Sequence, residues 1–138
     1  MSTEDNKELT RRALEAASEH NVSEYAQYFA PNSKFYGVAP QTLDLEGYKQ
    51  LLTMTFAAFP DWHLTIEDMI AEGDKVVVRY TTSGTHQGVF QGIPPTGKQF
   101  TTTAITIAHF VNGKAVELRS EYDFLGMLQQ LGVIPSMG

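Results

Sequence analysis

Residues 100–123 have the sequence FTTTAITIAHFVNGKAVELRSEYD, and this stretch decides the fold class. Two long runs rich in threonine, isoleucine and valine flank the pair Asn112-Gly113. Asn-Gly between two such runs is the strongest short sequence signal for a β-hairpin, because both residues accept the positive φ angles of its turn. The stretch therefore predicts two antiparallel strands, at residues 100–111 and 114–123.

Two further strands are predicted just before this hairpin. Residues 62–72 alternate apolar and polar side chains, and residues 75–86 begin with a β-branched run. Gly73-Asp74 between them predicts a turn. The segment Gly92–Lys98, GIPPTGK, contains two prolines and predicts an ordered loop. Four strands in direct succession favour an antiparallel meander.

The first half of the chain carries helical signals instead. The predicted helices cover residues 4–20, a short segment capped by Asn21, a segment capped by Asp44 that stops at Pro60, and residues 125–131. Pro31-Asn32 is predicted to end the second helix, and residues 33–39 predict a short strand.

This order of elements predicts an α+β fold. Helices that are segregated from an antiparallel meander pack against one face of it. A twisted sheet of long strands must curl, so we expect a cone-shaped curved antiparallel sheet wrapped around the N-terminal helices. One domain over residues 1–138 is expected, because a chain of 138 residues is long enough to bury a core of its own.

Composition excludes several classes of function. Ten basic and sixteen acidic residues give a net charge of −6, which argues against a nucleic-acid partner or an anionic membrane surface. The chain has no cysteine, so disulfides, thiol catalysis and cysteine-ligated metals are excluded. The polar N-terminus does not resemble a signal peptide, and no apolar run is long enough to cross a membrane. We therefore expect a cytoplasmic protein.

Six pieces of sequence occur in an order that is typical of one family. They are FPDWH (59–63), GDKVVVR (73–79), GTHQGVF (84–90), GIPPTGK (92–98), NGK (112–114) and the segment 123–132 with its Gln-Gln-Leu-Gly ending. On these pieces the chain resembles the SnoaL-like polyketide cyclase family, within the nuclear-transport-factor-2-like superfamily with its cystatin-like fold. The resemblance covers about the last 80 residues.

The resemblance implies a cone-shaped α+β barrel that forms a homodimer. It implies ring closure by intramolecular aldol condensation of a small hydrophobic carbonyl compound, as in an ester cyclase, with no metal and no cofactor. The family's acid/base carboxylate corresponds to Asp123, and its pocket histidine corresponds to His86. The family often has tryptophan where this chain has Arg119 and an acidic residue where it has Ser120, which alters the expected pocket.

Asp123 is the main catalytic candidate. One carboxyl group can remove a proton next to a carbonyl and return a proton to the new alkoxide. The residues alone leave two roles open, because Asp123 also stands where it would cap the C-terminal helix. Alternation along residues 114–123 puts Asp123 on the face opposite Leu118. Either the pocket face is polar, or a β-bulge re-aims Asp123.

His86 and Arg79 are further candidates for the site. A neutral imidazole at His86 is suited to donate to a substrate oxygen or to orient Asp123, and equally to bond within the sheet or a loop. Arg79 lies in an otherwise apolar strand and needs a carboxylate partner. Glu117, Glu121 or a substrate would supply it.

Aromatic residues are candidates for the wall of the pocket. We predict that the substrate is bound by Tyr28, Tyr36, Phe56 and Trp62 together with Arg79. The four histidines lack the spacing of a metal site.

Two other functions remain open from the residues. One is a ketosteroid-isomerase-like proton shuttle, which faces the same enolate chemistry. Another is a non-catalytic module that binds a small ligand or dimerises, because a fold does not determine function. An epoxide-hydrolase-like site would need an aspartate where Arg79-Tyr80-Thr81 has threonine, and we discount it.

Overall fold

The computed structural model describes residues 2–135, which alternate between helices and strands of one sheet. The helices are α1 (Thr3–Ser18), α2 (Val22–Ala26), α3 (Leu45–Ala58) and α4 (Phe124–Gln130). The strands are β1 (Phe29–Tyr36), β2 (Leu43–Asp44), β3 (His63–Glu72), β4 (Lys75–Thr85), β5 (Gln99–Val111) and β6 (Lys114–Tyr122).

The sheet has the strand order β2-β1-β6-β5-β4-β3. Strands β3 to β6 form the predicted antiparallel meander, and β1 adds to β6 in parallel. The two edge strands, β2 and β3, do not pair with each other, so the curved sheet stays open. The predicted α+β class and curved sheet are confirmed.

The core lies between the concave face of the sheet and the N-terminal helices. Helix α1 packs on β3 and β4, and its alanines, among them Ala16 and Ala17, are buried in one cluster with Val76, Val78 and Leu118. Small residues on the helix let it approach the sheet closely. Helix α3 packs along β1 and β2 and leaves an open space beside α4.

Two helix caps predicted from the sequence are present. Asn21 accepts a hydrogen bond from the backbone of Glu24, with 3.1 Å between nitrogen and oxygen. Asp44 accepts one from the backbone of Gly47 at 2.8 Å. These bonds satisfy backbone N–H groups that the first turn of a helix leaves unpaired.

The prediction that Pro31-Asn32 ends the second helix is wrong. Helix α2 already ends at Ala26, and Pro31-Asn32 lies inside β1. The pairing of β1 with β6 is interrupted between Phe29 and Lys34. A proline, which has no N–H to donate, is tolerated at such an interruption.

Beyond β1 the chain turns back against β6 at Gly37. Its φ of +82° is in the left-handed region, and a Cβ there would overlap the carbonyl oxygen of Ser120. Only glycine permits this close approach, which places residues 37–40 at the edge of the space beside α4.

Among residues 2–135, no helix combines the length and the apolar composition that a membrane crossing requires.

Candidate active site

A cavity of about 410 Å³ lies between α3, the concave face of the sheet and the start of α4. This volume suits a drug-sized molecule. Its lining is mainly apolar and aromatic, and includes Leu51, Leu52, Phe56, Trp62, Phe90, Phe100 and Met127. Polar groups at the wall come from Tyr48, Thr55, Thr82, Gln91, Thr102, Glu121, Tyr122 and Asp123.

Asp123 lines this cavity and also caps α4. Its Oδ1 accepts a hydrogen bond from the backbone N–H of Gly126 at 2.9 Å, and its side chain is exposed. Of the two roles that the sequence left open, the structure shows the helix cap, and it places Asp123 at the cavity, where a catalytic role would require it. The cap holds the carboxylate at the mouth of the cavity, because the bond fixes the side chain relative to the helix.

The end of a strand, rather than a bulge, turns Asp123 toward the cavity. The only shift in the β5–β6 register recorded in the described chain lies at Val116, where Phe110 pairs with Ala115 and His109 with Glu117. Beyond it the alternation is regular up to Tyr122, where β6 ends. Asp123 then leaves the sheet as the helix cap, so strand parity no longer governs its direction.

His86 is completely buried and is not part of the cavity lining. Its ring stacks on Phe59 with 5.3 Å between ring centres, and Phe90 packs on its edge at 6.5 Å. Phe90 itself lines the cavity. His86 therefore sits in a separate packed cluster, and the structure shows no contact between it and Asp123.

The imidazole of His86 is held by Thr96. The backbone N–H of Thr96 donates to Nδ1 at 3.3 Å, and the Thr96 hydroxyl lies 3.1 Å from the same nitrogen. Because Nδ1 accepts a backbone N–H, the neutral ring carries its proton on Nε2. Nε2 is buried and has no partner among the described residues.

Two of the predicted aromatic residues, Phe56 and Trp62, line the cavity. His20 supports both, because its ring stacks on Phe56 at 4.2 Å and its Nε2 lies 2.8 Å from the Trp62 carbonyl oxygen. Tyr28 lines a separate small cavity of about 40 Å³ deeper in the cone. Tyr36 lies outside both linings.

Arg79 lies away from the cavity, on the outer face of the sheet. Its guanidinium bonds the carboxylate of Asp68 on β3 at 2.8 Å. Neither of the partners considered from the sequence is used, since Glu117 instead pairs with Arg119 at 2.6 Å. A substrate inside the cone would not meet Arg79 in this arrangement.

The chain departs from the family pattern at two neighbouring residues with different consequences. Arg119 faces outward, with its guanidinium 4.1 Å from the centre of the Tyr36 ring, so it leaves the cavity wall unchanged. Ser120 faces inward, is 4% exposed and bonds Thr106. Only Ser120 therefore alters the polarity of the interior.

Comparison with known proteins gives the family. The family model described as SnoaL-like polyketide cyclase matches residues 7–131, which is nearly the whole chain. The chain belongs to the SnoaL-like polyketide cyclase family. Two relatives are named aklanonic acid methyl ester cyclase. DnrD from Streptomyces peucetius is 27% identical over 91% of this chain and 89% of its own length. AcmA from Streptomyces galilaeus is 30% identical over 88% and 87%.

Solved structures agree with this fold. AclR from Streptomyces galilaeus, a proposed hydroxylase, has a TM-score of 0.91 and 28% identity, covering 99% of this chain and 87% of its own. IdmH from Streptomyces antibioticus, a proposed polyketide cyclase, has a TM-score of 0.81 and 29% identity, covering 92% and 98%. SnoaL-like chains with the same architecture thus carry different proposed activities.

Sequence reasoning missed a group of hydroxyls inside this SnoaL-like cone. They belong to Tyr25, Tyr48, Tyr80, Thr106, Ser120 and Tyr122. The available signal was alternation, because Tyr80 and Ser120 share the inward parity of Val78 and Leu118. Tyr80, Thr106 and Tyr122 are ordinary strand formers, and Tyr25 and Tyr48 stand on apolar helix faces, so residue type alone did not single them out.

Burial changes the acid strength of these phenols. Loss of hydration raises the pKa of Tyr25, Tyr48 and Tyr80, and the nearby Tyr122 raises all three further. They are therefore neutral hydrogen-bond donors throughout the physiological range.

Metal binding has no geometric support in the part of the chain that the structure covers. Across residues 2–135, no three His, Asp or Glu side chains are grouped so that they could hold a metal ion.

Proposed function

We propose that this protein closes a ring in a hydrophobic carbonyl compound by an intramolecular aldol reaction. The observation that carries the proposal is the Asp123 carboxylate at the mouth of a largely apolar cavity of about 410 Å³. The names of the aklanonic acid methyl ester cyclases support the same class of chemistry.

The proposed reaction balances without a further reagent. The Asp123 carboxylate takes a proton from the carbon next to a carbonyl group, which leaves an enolate. The enolate carbon forms a bond to the carbon of a second carbonyl group in the same molecule, and that carbonyl becomes an alkoxide. The alkoxide takes the proton back from the Asp123 carboxylic acid. The cavity brings the two carbonyl groups together, which lowers the entropic cost of ring closure.

Asp123→Asn tests the proposal. The amide keeps the shape and the helix cap but cannot accept the proton, so turnover of an aromatic polyketide methyl ester should fall by ~10²-fold or more. Asp68→Asn, which changes an exposed aspartate on the outer face, is the matched control and should keep wild-type turnover. Equal turnover in the Asp123→Asn and wild-type proteins would remove Asp123 from the mechanism.

The same assay separates the other functions that the family fold supports. A proton shuttle of the ketosteroid-isomerase type would exchange the substrate's α-hydrogen with deuterium from the solvent without forming a ring. A binding module would take up the ester, seen as a rise in melting temperature, with neither exchange nor product.

We further propose that two copies associate through the outer face of the sheet. Ile105 and Ile107 on the central strand β5 are 45% and 39% exposed there. The ion pairs Arg79–Asp68 and Glu117–Arg119 flank them and offer both signs of charge. Light scattering should give a dimer for the wild type and a monomer for Ile107→Lys. A monomeric wild-type protein would refute this assembly.

A further inference from the structure

Three hydroxyls on the concave face form a hydrogen-bonded row, and a fourth, that of Tyr122, stands beside the row at the cavity. The Ser120 and Thr106 hydroxyls are 3.3 Å apart, and the Thr106 hydroxyl donates to the Tyr80 phenol oxygen at 3.2 Å. All three side chains are at most 9% exposed. Tyr122 follows at the cavity wall, where it is 41% exposed. Tyr80 and Tyr122 pair with Ala104 from its two sides, so the three residues form one row across β4, β5 and β6.

The direction of these bonds leaves a proton for the cavity. A phenol has one proton to donate. Tyr80 already accepts from Thr106, so its own proton is directed elsewhere, and the sheet register places Tyr122 next in the row, across Ala104. If the Tyr122 oxygen accepts the Tyr80 proton, the Tyr122 phenol directs its own proton away from the sheet and into the cavity.

A second phenol pair stands at the same wall. Tyr25 and Tyr48 are 3.3 Å apart at their oxygens, and Tyr48 lines the cavity from α3. One phenol of this pair donates a hydrogen bond to the other, which uses one of the two phenol protons. Tyr48 is the member of the pair that lines the large cavity, while both phenols line the small cavity behind it.

The charges around the cavity make a neutral donor necessary. Its described lining includes the acidic residues Glu121 and Asp123 and no lysine, arginine or histidine. An enolate formed beside Asp123 would therefore have no cation to stabilise it. Preorganised hydrogen bonds are the remaining means of stabilising the developing charge.

We propose that Tyr122 is a catalytic hydrogen-bond donor that binds the carbonyl oxygen of the substrate as that oxygen becomes the enolate. Tyr80 and Thr106 are positioning residues that orient the Tyr122 phenol. This inference rests on the proposed aldol function, since it names the donor that the same site requires.

The end of β6 explains how two consecutive residues serve one substrate. Tyr122 keeps the strand alternation and extends from the concave face. Asp123 is turned by its capping bond at the start of α4. Asp123, the proton acceptor, and Tyr122, the hydrogen-bond donor, thus reach one cavity from different directions. Enolisation requires this, because one group acts on the α-carbon and the other on the carbonyl oxygen.

Turnover of the aromatic polyketide methyl ester gives the first test. Tyr122→Phe should lower kcat by ~10²-fold with little change in KM, since the donor acts mainly on the developing charge. Tyr80→Phe and Thr106→Val should each lower kcat by a smaller factor, and neither should add to the loss in Tyr122→Phe. Thr103→Val, on the outer face of β5, is the control that should keep the wild-type value. Full additivity of the losses would contradict the orienting role of Tyr80 and Thr106.

A binding measurement decides the inference without turnover. The probe is 1,8-dihydroxyanthraquinone, whose ionisation changes its visible absorption, and the host is the Asp123→Asn protein. A donor phenol stabilises the ionised probe, so adding Tyr122→Phe should raise the pKa of the bound probe by about one unit. Unchanged turnover in Asp123→Asn would refute the aldol function, but the shift in the pKa of the bound probe would still support Tyr122 as a donor. An unchanged probe pKa would overturn the donor role, whatever the effect of Tyr122→Phe on kcat.

Discussion

Asp123 and His86 lie in opposite surroundings, although the family pattern assigns both to the active site. Asp123 is exposed, follows the last residue of β6 and borders the large cavity. His86 has no exposed surface, stacks on Phe59 and is separated from the cavity by Phe90. A residue type at a motif position therefore does not decide its role. Access to the ligand does, because proton transfer requires contact within hydrogen-bond reach.

The surroundings of His86 suggest why two motifs occur together in this chain. Its ring bonds Thr96, its backbone N–H donates to the Lys98 carbonyl at 2.9 Å, and its carbonyl accepts from Gly97 at 2.9 Å. His86 thus joins the Gly-Thr-His segment to the Pro-Pro-Thr-Gly loop. Phe90 and Gln91, which lie between these two segments, reach the cavity wall.

The largest expected effect separates the two roles of Asp123. Asp123→Asn and Asp123→Ala should lose the same turnover, by a factor of ~10² to 10⁴, because neither side chain accepts a proton. Only Asp123→Ala should also lower the free energy of unfolding, by about 1 kcal/mol, since asparagine caps a helix as well as aspartate does. Urea denaturation measures the second effect. Equal stability of the two variants would mean that the cap contributes nothing.

His86 should show the reverse pattern. We expect His86→Ala to lower the free energy of unfolding by about 2–4 kcal/mol, as for other large-to-small changes in a packed cluster. Turnover per folded molecule should stay within ~3-fold of wild type, because the ring does not line the cavity. Thr96→Val, which removes only the hydroxyl, should cost about 1 kcal/mol. A His86→Ala protein of wild-type stability and greatly reduced turnover would erase the contrast with Asp123.

Most of the fold could be predicted from local patterns in the chain. The Asn112-Gly113 turn and the alternation before it predict β3 to β6, because side-chain period and turn chemistry act over a few residues. The addition of β1 in parallel beside β6 was not predictable, since it depends on how the curved sheet meets α3. The prediction that Pro31 ends a helix failed for the same reason, because the effect of a proline depends on whether the residues around it are paired with another strand.

The site was less predictable than the fold. The position of Asp123 at the cavity followed from the resemblance, and the cap followed from its place before α4. The burial of His86 behind Phe90 depends on a loop whose path no local pattern determines. The row of Ser120, Thr106 and Tyr80, with Tyr122 beside it, depends on the register of three strands, which alternation within one strand does not supply.

Asp61 is an exposed carboxylate that, like His86, contributes to the stability of the fold. The Thr85 hydroxyl and backbone N–H each donate to it at 2.7 Å, which lowers its pKa below the ordinary 3.8. A carboxylate with a lowered pKa adds stability that is complete above its unfolded-state pKa and is lost as the pH falls through its folded-state pKa. Wild-type protein should therefore lose more melting temperature below about pH 3.8 than Asp61→Asn does. Parallel pH profiles of the two proteins would show that Thr85 does not act on this carboxylate.

Replacement of Arg79 should have the smallest effect on stability and on turnover. It serves as the reference for the changes at Asp123 and His86. Its salt bridge with Asp68 is about half exposed on each side, so water and salt screen it. Arg79→Ala should change the free energy of unfolding by at most about 1 kcal/mol. Because the side chain lies outside the cone, KM for the ester should stay within ~2-fold of wild type, a factor worth under about 0.5 kcal/mol. A large rise in KM with unchanged stability would mean that the substrate reaches the outer face, and would restore Arg79 to the binding site.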